Sequence, residues 1–306
     1  MGVLRAALAL LALALASCAV PGSRPEAPLA GRVWDVGQRR FIEPHEAERR
    51  LASADIALLG ETHDSPAHHD LELRLLRAAV AQGRRPTVGM EQIDIDREAA
   101  VERAIAEGGD AQAVNAAAGI AAHWPWPLYA PIVSFALHEK LPLVALNLPR
   151  TRTRRIVHEG LAALGAGGAS RLALDRTWSD AREKALHREI VAGHCGEDDP
   201  MVARLVEVQR AKDAVMADRL LAQRSRPVVA ILGRAHARAD LAVPLYLAAR
   251  EPRLRVLVVG LVEVDPDAAR VEDYPETRPG RFDLVWFTPA TQRADPCAGF
   301  KGVPAR

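Results

Sequence analysis

The sequence predicts an α/β fold: a mostly parallel sheet flanked by helices, with a helical insertion or cap over about 150–225. Three observations predict it. First, six short apolar runs punctuate the chain: 55–59 (DIALL), 87–90 (TVGM), 142–146 (PLVAL), 227–232 (PVVAIL), 255–259 (RVLVV) and 283–287 (DLVWF). Such runs suit parallel strands buried on both faces, provided helices separate them. Second, helical spacing lies between them. Segment 66–82 carries Leu73, Leu76 and Val80 on one stripe and Leu71, Leu75 and Ala79 beside it; 97–107, 128–138, 179–192 and 201–223 are further helical segments. Alternation of strand and helix means a parallel sheet. Third, 150–225 has helical character and no strand pattern, so it reads as an insertion or cap and not as a second domain.

The N-terminus reads as an export signal over 1–17. Arg5 supplies the positive start, and Ala6 to Ala16 form an unbroken Ala/Leu run too short to span a bilayer. The run ends in Leu15-Ala16-Ser17-Cys18, a lipobox pattern whose Cys thiol accepts a diacylglycerol. An ordinary signal peptide with a chance Cys is the plainer alternative. Residues 18–30 then form a lipidated Cys and a Pro/Gly-rich flexible tether, leaving 31–306 as a single α/β domain. These features place the protein on a lipid anchor in the cell envelope; Ala19 after the Cys favours the outer membrane.

Charge and composition exclude some functions. Removing Arg5 with the signal leaves equal numbers of basic and acidic residues, which argues against a nucleic-acid partner. Tyr and Phe are too scarce for a base-stacking platform. With Cys18 lipidated, Cys195 and Cys297 remain; in an exported protein they are either a disulfide or two free thiols.

The functional signal lies where strands end. The run before Gly60 leads to Glu61-Thr62-His63, TVGM leads to Glu91-Gln92, PLVAL leads to Asn147-Leu148-Pro149-Arg150, and PVVAILG leads to Arg234-Ala235-His236. Ligand sites of open parallel sheets form outside the carboxyl ends of strands. One pocket holding Glu61, His63, Glu91, Arg150 and His236 is therefore expected. Two of these ends echo each other, each an apolar strand followed by G-x-x-H, at Gly60–His63 and Gly233–His236. Ser65-Pro66 reads as a helix start, which puts His68 and His69 in the first turn on a wide inward stripe near His63. A helix N-terminus favours neutral imidazole. The pair is either ligating or a hydrogen-bonded loop–helix junction.

These motifs resemble those of the ChaN family of haem-binding lipoproteins, within a wider group that includes the Tiki and TraB proteins. Gly60-Glu61-Thr62-His63-Asp64 with His68-His69 matches its opening motif. The likeness continues through Gly89-Met90-Glu91-Gln92, Trp124-Pro125-Trp126 with Tyr129, Asn147-Leu148-Pro149-Arg150, Gln209, Asp213, Met216-Ala217, Gly233-x-x-His236 and Asp283-x-x-Trp286-Phe287-Thr288. It departs at Ala235, where the family has Gly, at Ala242-Val243-Pro244, where it has Gly-Val-Pro, and at Ile93, where an aromatic is common.

The resemblance implies haem binding linked to iron acquisition, with haem as cofactor and partner, and leaves open a homodimer and a haem-uptake receptor. For a haem site the candidates are Tyr129, a hard phenolate donor for ferric iron beside Trp124 and Trp126, with His68 and with Arg150 pairing a propionate; which Tyr, among Tyr129, Tyr246 and Tyr274, or which His meets the iron stays open. Trp124 and Trp126 are either the site's flat walls or core filling. The alternative is a metal-dependent hydrolase, with a divalent transition metal on His63, His69, His236 and Glu61, and Glu61 and Glu91 as its catalytic carboxylates.

Overall fold

The computed structural model describes residues 28–196, 201–295 and 297–298. The export signal, Cys18 and the tether up to residue 27 lie outside the described residues. A hairpin of β1 (Val33–Asp35) and β2 (Arg40–Ile42) comes first, then α1 (Pro44–Ser53), β3 (Ile56–Glu61), α2 (Pro66–Ala81) and β4 (Thr87–Asp94). Three helices follow, α3 (Glu98–Ala106), α4 (Ala111–Ala118) and α5 (Trp126–His138), before β5 (Leu143–Asn147). The strand-free stretch holds α6 (Arg150–Glu159), α7 (Gly168–Arg171), α8 (Leu174–Thr177), α9 (Asp180–Gly193) and α10 (Met201–Ala222). The chain ends through β6 (Val228–Gly233), α11 (Arg234–Ala237), α12 (Val243–Arg250), β7 (Val256–Glu263) and β8 (Leu284–Thr288).

Among the described residues these strands form one eight-stranded sheet in the order β2-β1-β8-β7-β3-β6-β4-β5. Pairing is parallel from β8 to β5; β1 runs antiparallel to β8 and β2 antiparallel to β1. The six apolar runs of the sequence are the six parallel strands. Side chains alternate across the sheet, so Ile56 and Leu58 of β3 enter the core on one face and Ala57 and Leu59 the core on the other. Helices α1 to α5 cover the second face and α6, α10 and α12 the first. Both faces are therefore dry, which is why the strands read as continuous apolar runs and not as alternating ones.

Several elements were not legible. Strands β1 and β2 have three residues each, too few to show a period. Helices α1, α4, α6 and α12 are polar, Ala-rich or short. Helix α4 is instead defined by its ends: Asp110 accepts from the Ala113 N–H at 2.9 Å and Gly119 closes the helix at φ 72°. Cys195, past the end of α9, is disulfide-bonded to Cys297 with a Cα–Cα distance of 5.5 Å. The link spans 102 positions, and closing a loop of that length stabilises by about 2–5 kcal/mol.

Candidate functional site

Strands β3 and β6 are hydrogen-bonded parallel neighbours with Glu61 opposite Gly233. Both G-x-x-H turns therefore leave the sheet side by side, and β4, on the far side of β6, adds Glu91 and Gln92. The two Gly residues permit close approach. A Cβ on Gly60 would lie 2.7 Å from the Ala237 Cβ, so its absence lets α11 settle onto β3; a Cβ on Gly233 would lie 2.9 Å from the His63 ring.

Around the end of β3, three donors converge on Glu61 Oε1: the Tyr129 hydroxyl at 2.6 Å, His63 Nδ1 at 2.9 Å and Gln92 Nε2 at 3.1 Å. Glu61 is fully buried, whereas the His63 side chain is 38% exposed. The His63 ring meets Trp124 edge-on, centroids 4.7 Å apart. Burial opposes charging His63, but the Glu61 hydrogen bond and the Glu91 charge prevail and raise its pKa. Deeper in, His69 faces Glu72 Oε2 through Nδ1 at 3.0 Å and the His63 carbonyl through Nε2 at 3.0 Å. Burial opposes that charge too, yet the Glu72 bond raises His69 to about 9. Burial, with the Glu61 charge, lifts Glu72 to about 8.

Around the end of β6, His236 is buried between two carboxylates. Its Nδ1 faces Asp213 Oδ1 at 2.5 Å and Gln209 at 3.0 Å, while Nε2 lies 3.3 Å from Glu91 Oε1. Glu91 also accepts the Gly233 N–H at 2.7 Å. With acids at both nitrogens His236 is an imidazolium: burial opposes this, but Glu91 and Asp213 raise its pKa to about 9. Burial would raise Glu91, and the facing His236 instead holds it well below the usual carboxylate range. Asp213 is pushed up to about 6 by burial, against the pull of His236.

His63 and His236 line one cavity of about 410 Å³. The helical stretch forms part of its wall through Leu186 of α9 and Gln209 of α10, as a cap does; Leu241 and Phe282 add apolar surface. Three arginines line it. Arg238 is held by a bidentate pair with Asp240 and by Glu189 at 2.6 Å. Arg234 and Arg281 have looser acid partners, Glu276 at 3.5 Å and Glu189 at 3.6 Å.

The expected pocket is thus assembled in part. Glu61, His63 and His236 line it, and Glu91 sits directly behind Gly233 and His236. Arg150 does not join them: it is exposed at the start of α6, after the edge strand β5, and Arg234, Arg238 and Arg281 take the place foreseen for it. His68 is also outside the cavity. Its Nδ1 accepts the Thr62 N–H at 2.9 Å and its Nε2 donates to Thr288 Oγ1 at 3.0 Å, so both nitrogens are engaged. Burial holds His68 neutral, with a pKa of about 3. Tyr129 is fully buried behind Glu61, its hydroxyl donating to that carboxylate, and burial pushes its pKa far up. Tyr246 and Tyr274 are buried as well. Trp126 is buried with its indole N–H on Gln112, and only Trp124 touches the site, through His63. The four-ligand metal set of His63, His69, His236 and Glu61 is divided between the two clusters. Among the described residues the metal-type grouping is Glu61, His69 and Glu72.

Sequence reading missed Glu72 and left Asp213 without a role. The signal was present in each: a lone acid on an apolar stripe, Glu72 among Leu71, Leu75 and Leu76, and Asp213 among Ala211, Ala214 and Met216. Arg238 and Arg281 carried no such signal.

The family model described as "Haem-binding uptake, Tiki superfamily, ChaN" matches residues 47–247. The fold is similar to that of ChaN of Campylobacter jejuni, solved as "Cofacial heme binding to ChaN", with 21% sequence identity, 83% of this chain and 95% of that chain covered, and a TM-score of 0.68. Looser likenesses are to the type III effector HopBA1 (12% identity, 80% and 92% covered, TM-score 0.45) and to the erythromycin esterase EreC (14% identity, 72% of each chain, TM-score 0.38). No curated protein matches the sequence.

Proposed function

The chain belongs to the ChaN family of haem-binding uptake proteins in the Tiki superfamily, and we propose on that premise that the cavity at the ends of β3 and β6 binds haem, with His63 facing the iron. One observation carries the choice of residue. His63 is a half-exposed imidazole in the cavity; Nδ1 is bonded to buried Glu61, and Nε2 has no hydrogen-bond partner among the described residues. A ring nitrogen held by a carboxylate leaves the other as a basic, oriented ligand for a metal. Leu186, Leu241 and Phe282 offer apolar surface to a porphyrin, and the loosely paired Arg234 and Arg281 have donors for its propionates. Haem supplies the iron centre; this chain orients the ligand and pairs the acids. Tyr129 is not the ligand in this reading, because coordination would take its hydroxyl from Glu61 and out of the core.

The reading includes the envelope. Cys18 bears the lipid, 31–306 is one domain on the tether, and the protein works at the outer membrane in haem and iron uptake, with a homodimer and a haem receptor as partners. The export signal and lipobox support the anchor, and the disulfide Cys195–Cys297 suits an oxidising compartment. Hemin titration of the purified protein tests the haem claim: a saturable Soret change at micromolar protein is expected, and its absence refutes it. Fatty-acid labelling tests the anchor, with label lost in Cys18→Ala; unchanged labelling of that variant refutes it.

A further inference from the structure

Next to His63 lies a second cluster, which shares Glu61 with the cavity wall. Glu61, His69 and Glu72 place one ligand atom each within 4.8 Å of one another, and all three residues are buried. Their side chains are 0–3% exposed.

A second observation concerns hydrogen bonding. Glu61 Oε2, Glu72 Oε1 and Gln92 Oε1 are buried and have no hydrogen-bond partner. Glu61 Oε2 lies 3.1 Å from His69 Nε2, but that N–H is directed to the His63 carbonyl. All three orphans are acceptors, and Gln92 is tied to Glu61 through its amide nitrogen. An unmet buried polar atom costs about 1–3 kcal/mol, so leaving these oxygens unpaired is costly. A cation held by Glu61 and Glu72 would satisfy carboxylate oxygens of both.

We propose that Glu61, His69 and Glu72 form a buried site for a divalent transition cation of the zinc or manganese class. The donor set supports that class. Two carboxylates balance the ion's charge, and an imidazole ligand favours a transition metal over calcium or magnesium. Bonds to oxygen and nitrogen of roughly 2.0–2.2 Å place ligand atoms at most about 4.4 Å apart, so the trio needs to close by a few tenths of an ångström. All three ligands are buried, and three protein ligands leave one coordination position for a further donor. The site holds Glu61 in place while Glu61 Oε1 orients His63. It does not depend on haem binding in the cavity.

The test uses the intact protein in detergent, stripped with a chelator and titrated calorimetrically with Zn²⁺ and, separately, Mn²⁺. One equivalent per chain is expected, with a raised melting temperature. Glu72→Gln should weaken uptake by at least about 100-fold, beyond the loss expected of an outer-shell partner, while His138→Ala, at an exposed ring, retains it. Ring-nitrogen NMR of the wild type keeps the proposal testable if Glu72→Gln does not fold: Zn²⁺ should shift the His69 nitrogens and leave those of His236 in place. Absence of stoichiometric uptake, uptake that survives Glu72→Gln, loss of uptake in His138→Ala, or an unshifted His69 would each overturn the proposal. Hemin titration of Glu72→Gln in parallel separates the two claims, since haem uptake without metal uptake refutes neither cavity nor ligand assignment.

Discussion

The two G-x-x-H turns look interchangeable in the sequence and differ in the structure. At the first turn, His63 is 38% exposed, bonded to one carboxylate through Nδ1, with Nε2 unpartnered among the described residues. At the second, His236 is 8% exposed and clamped by Asp213 and Glu91 at both nitrogens. The difference comes from what covers each turn. After β3 the chain runs through an open loop beside Trp124; after β6 it coils at once into α11, under the Asp213 side of α10. The same four-residue pattern thus yields a ligand in one place and a fixed buried cation in the other. A His motif identifies position; the number of acids around the ring decides chemistry.

The contrast predicts unequal costs. The largest is expected for Asp213→Ala, which takes the carboxylate partner from the buried His236 Nδ1 and should destabilise by about 2–3 kcal/mol in urea unfolding. His63→Ala, at a half-exposed ring, should stay within about 1 kcal/mol of wild type. Equal losses from the two changes would erase the distinction.

A smaller effect is expected at the glycines. Gly60→Ala presses a methyl against the Ala237 Cβ and the Arg234 backbone, neither of which yields easily, and overpacking of that kind costs about 1–3 kcal/mol. Gly233→Ala meets the His63 ring, which can swing into the cavity. Its stability should barely change while hemin affinity falls. Thermal melts and hemin titrations of both variants check this; a Gly233→Ala protein that binds hemin normally would speak against His63.

The pH dependence should follow the charge of the same buried rings. His236, raised to about 9 from 6.5, contributes stability that is fully present below pH 6.5 and lost as pH rises through 9. His68, lowered to about 3, refuses a proton that the unfolded chain accepts, so stability also falls as pH drops from 6.5 toward 3. Ring-nitrogen NMR should find His236 charged and His68 neutral at pH 7.5. A neutral His236 there would contradict its role as a fixed cation.

Much of this was legible in the sequence for a simple reason. Strands buried on both faces must be apolar throughout, so the six parallel strands stand out and their polar ends mark the site. Spatial order was not legible. Arg150 ends a strand just as Glu61 does, but β5 is at the sheet edge, and nothing local to 142–150 says so. His68 was correctly placed on the inward stripe, yet its partner Thr288 is 220 positions away. Tyr129 has the chemistry of a haem ligand, and only the three-dimensional position of Glu61 shows that its hydroxyl is already engaged.

The central claim, that His63 and not Tyr129 meets the iron, is tested most directly by hemin titration of three proteins side by side: wild type, His63→Ala and Tyr129→Phe. His63→Ala should lower hemin affinity by on the order of 100-fold or more, a larger loss than that of an outer-shell partner, and should shift the Soret band, while Tyr129→Phe leaves band position and affinity close to wild type. A shifted band in Tyr129→Phe together with an unchanged one in His63→Ala would contradict the account.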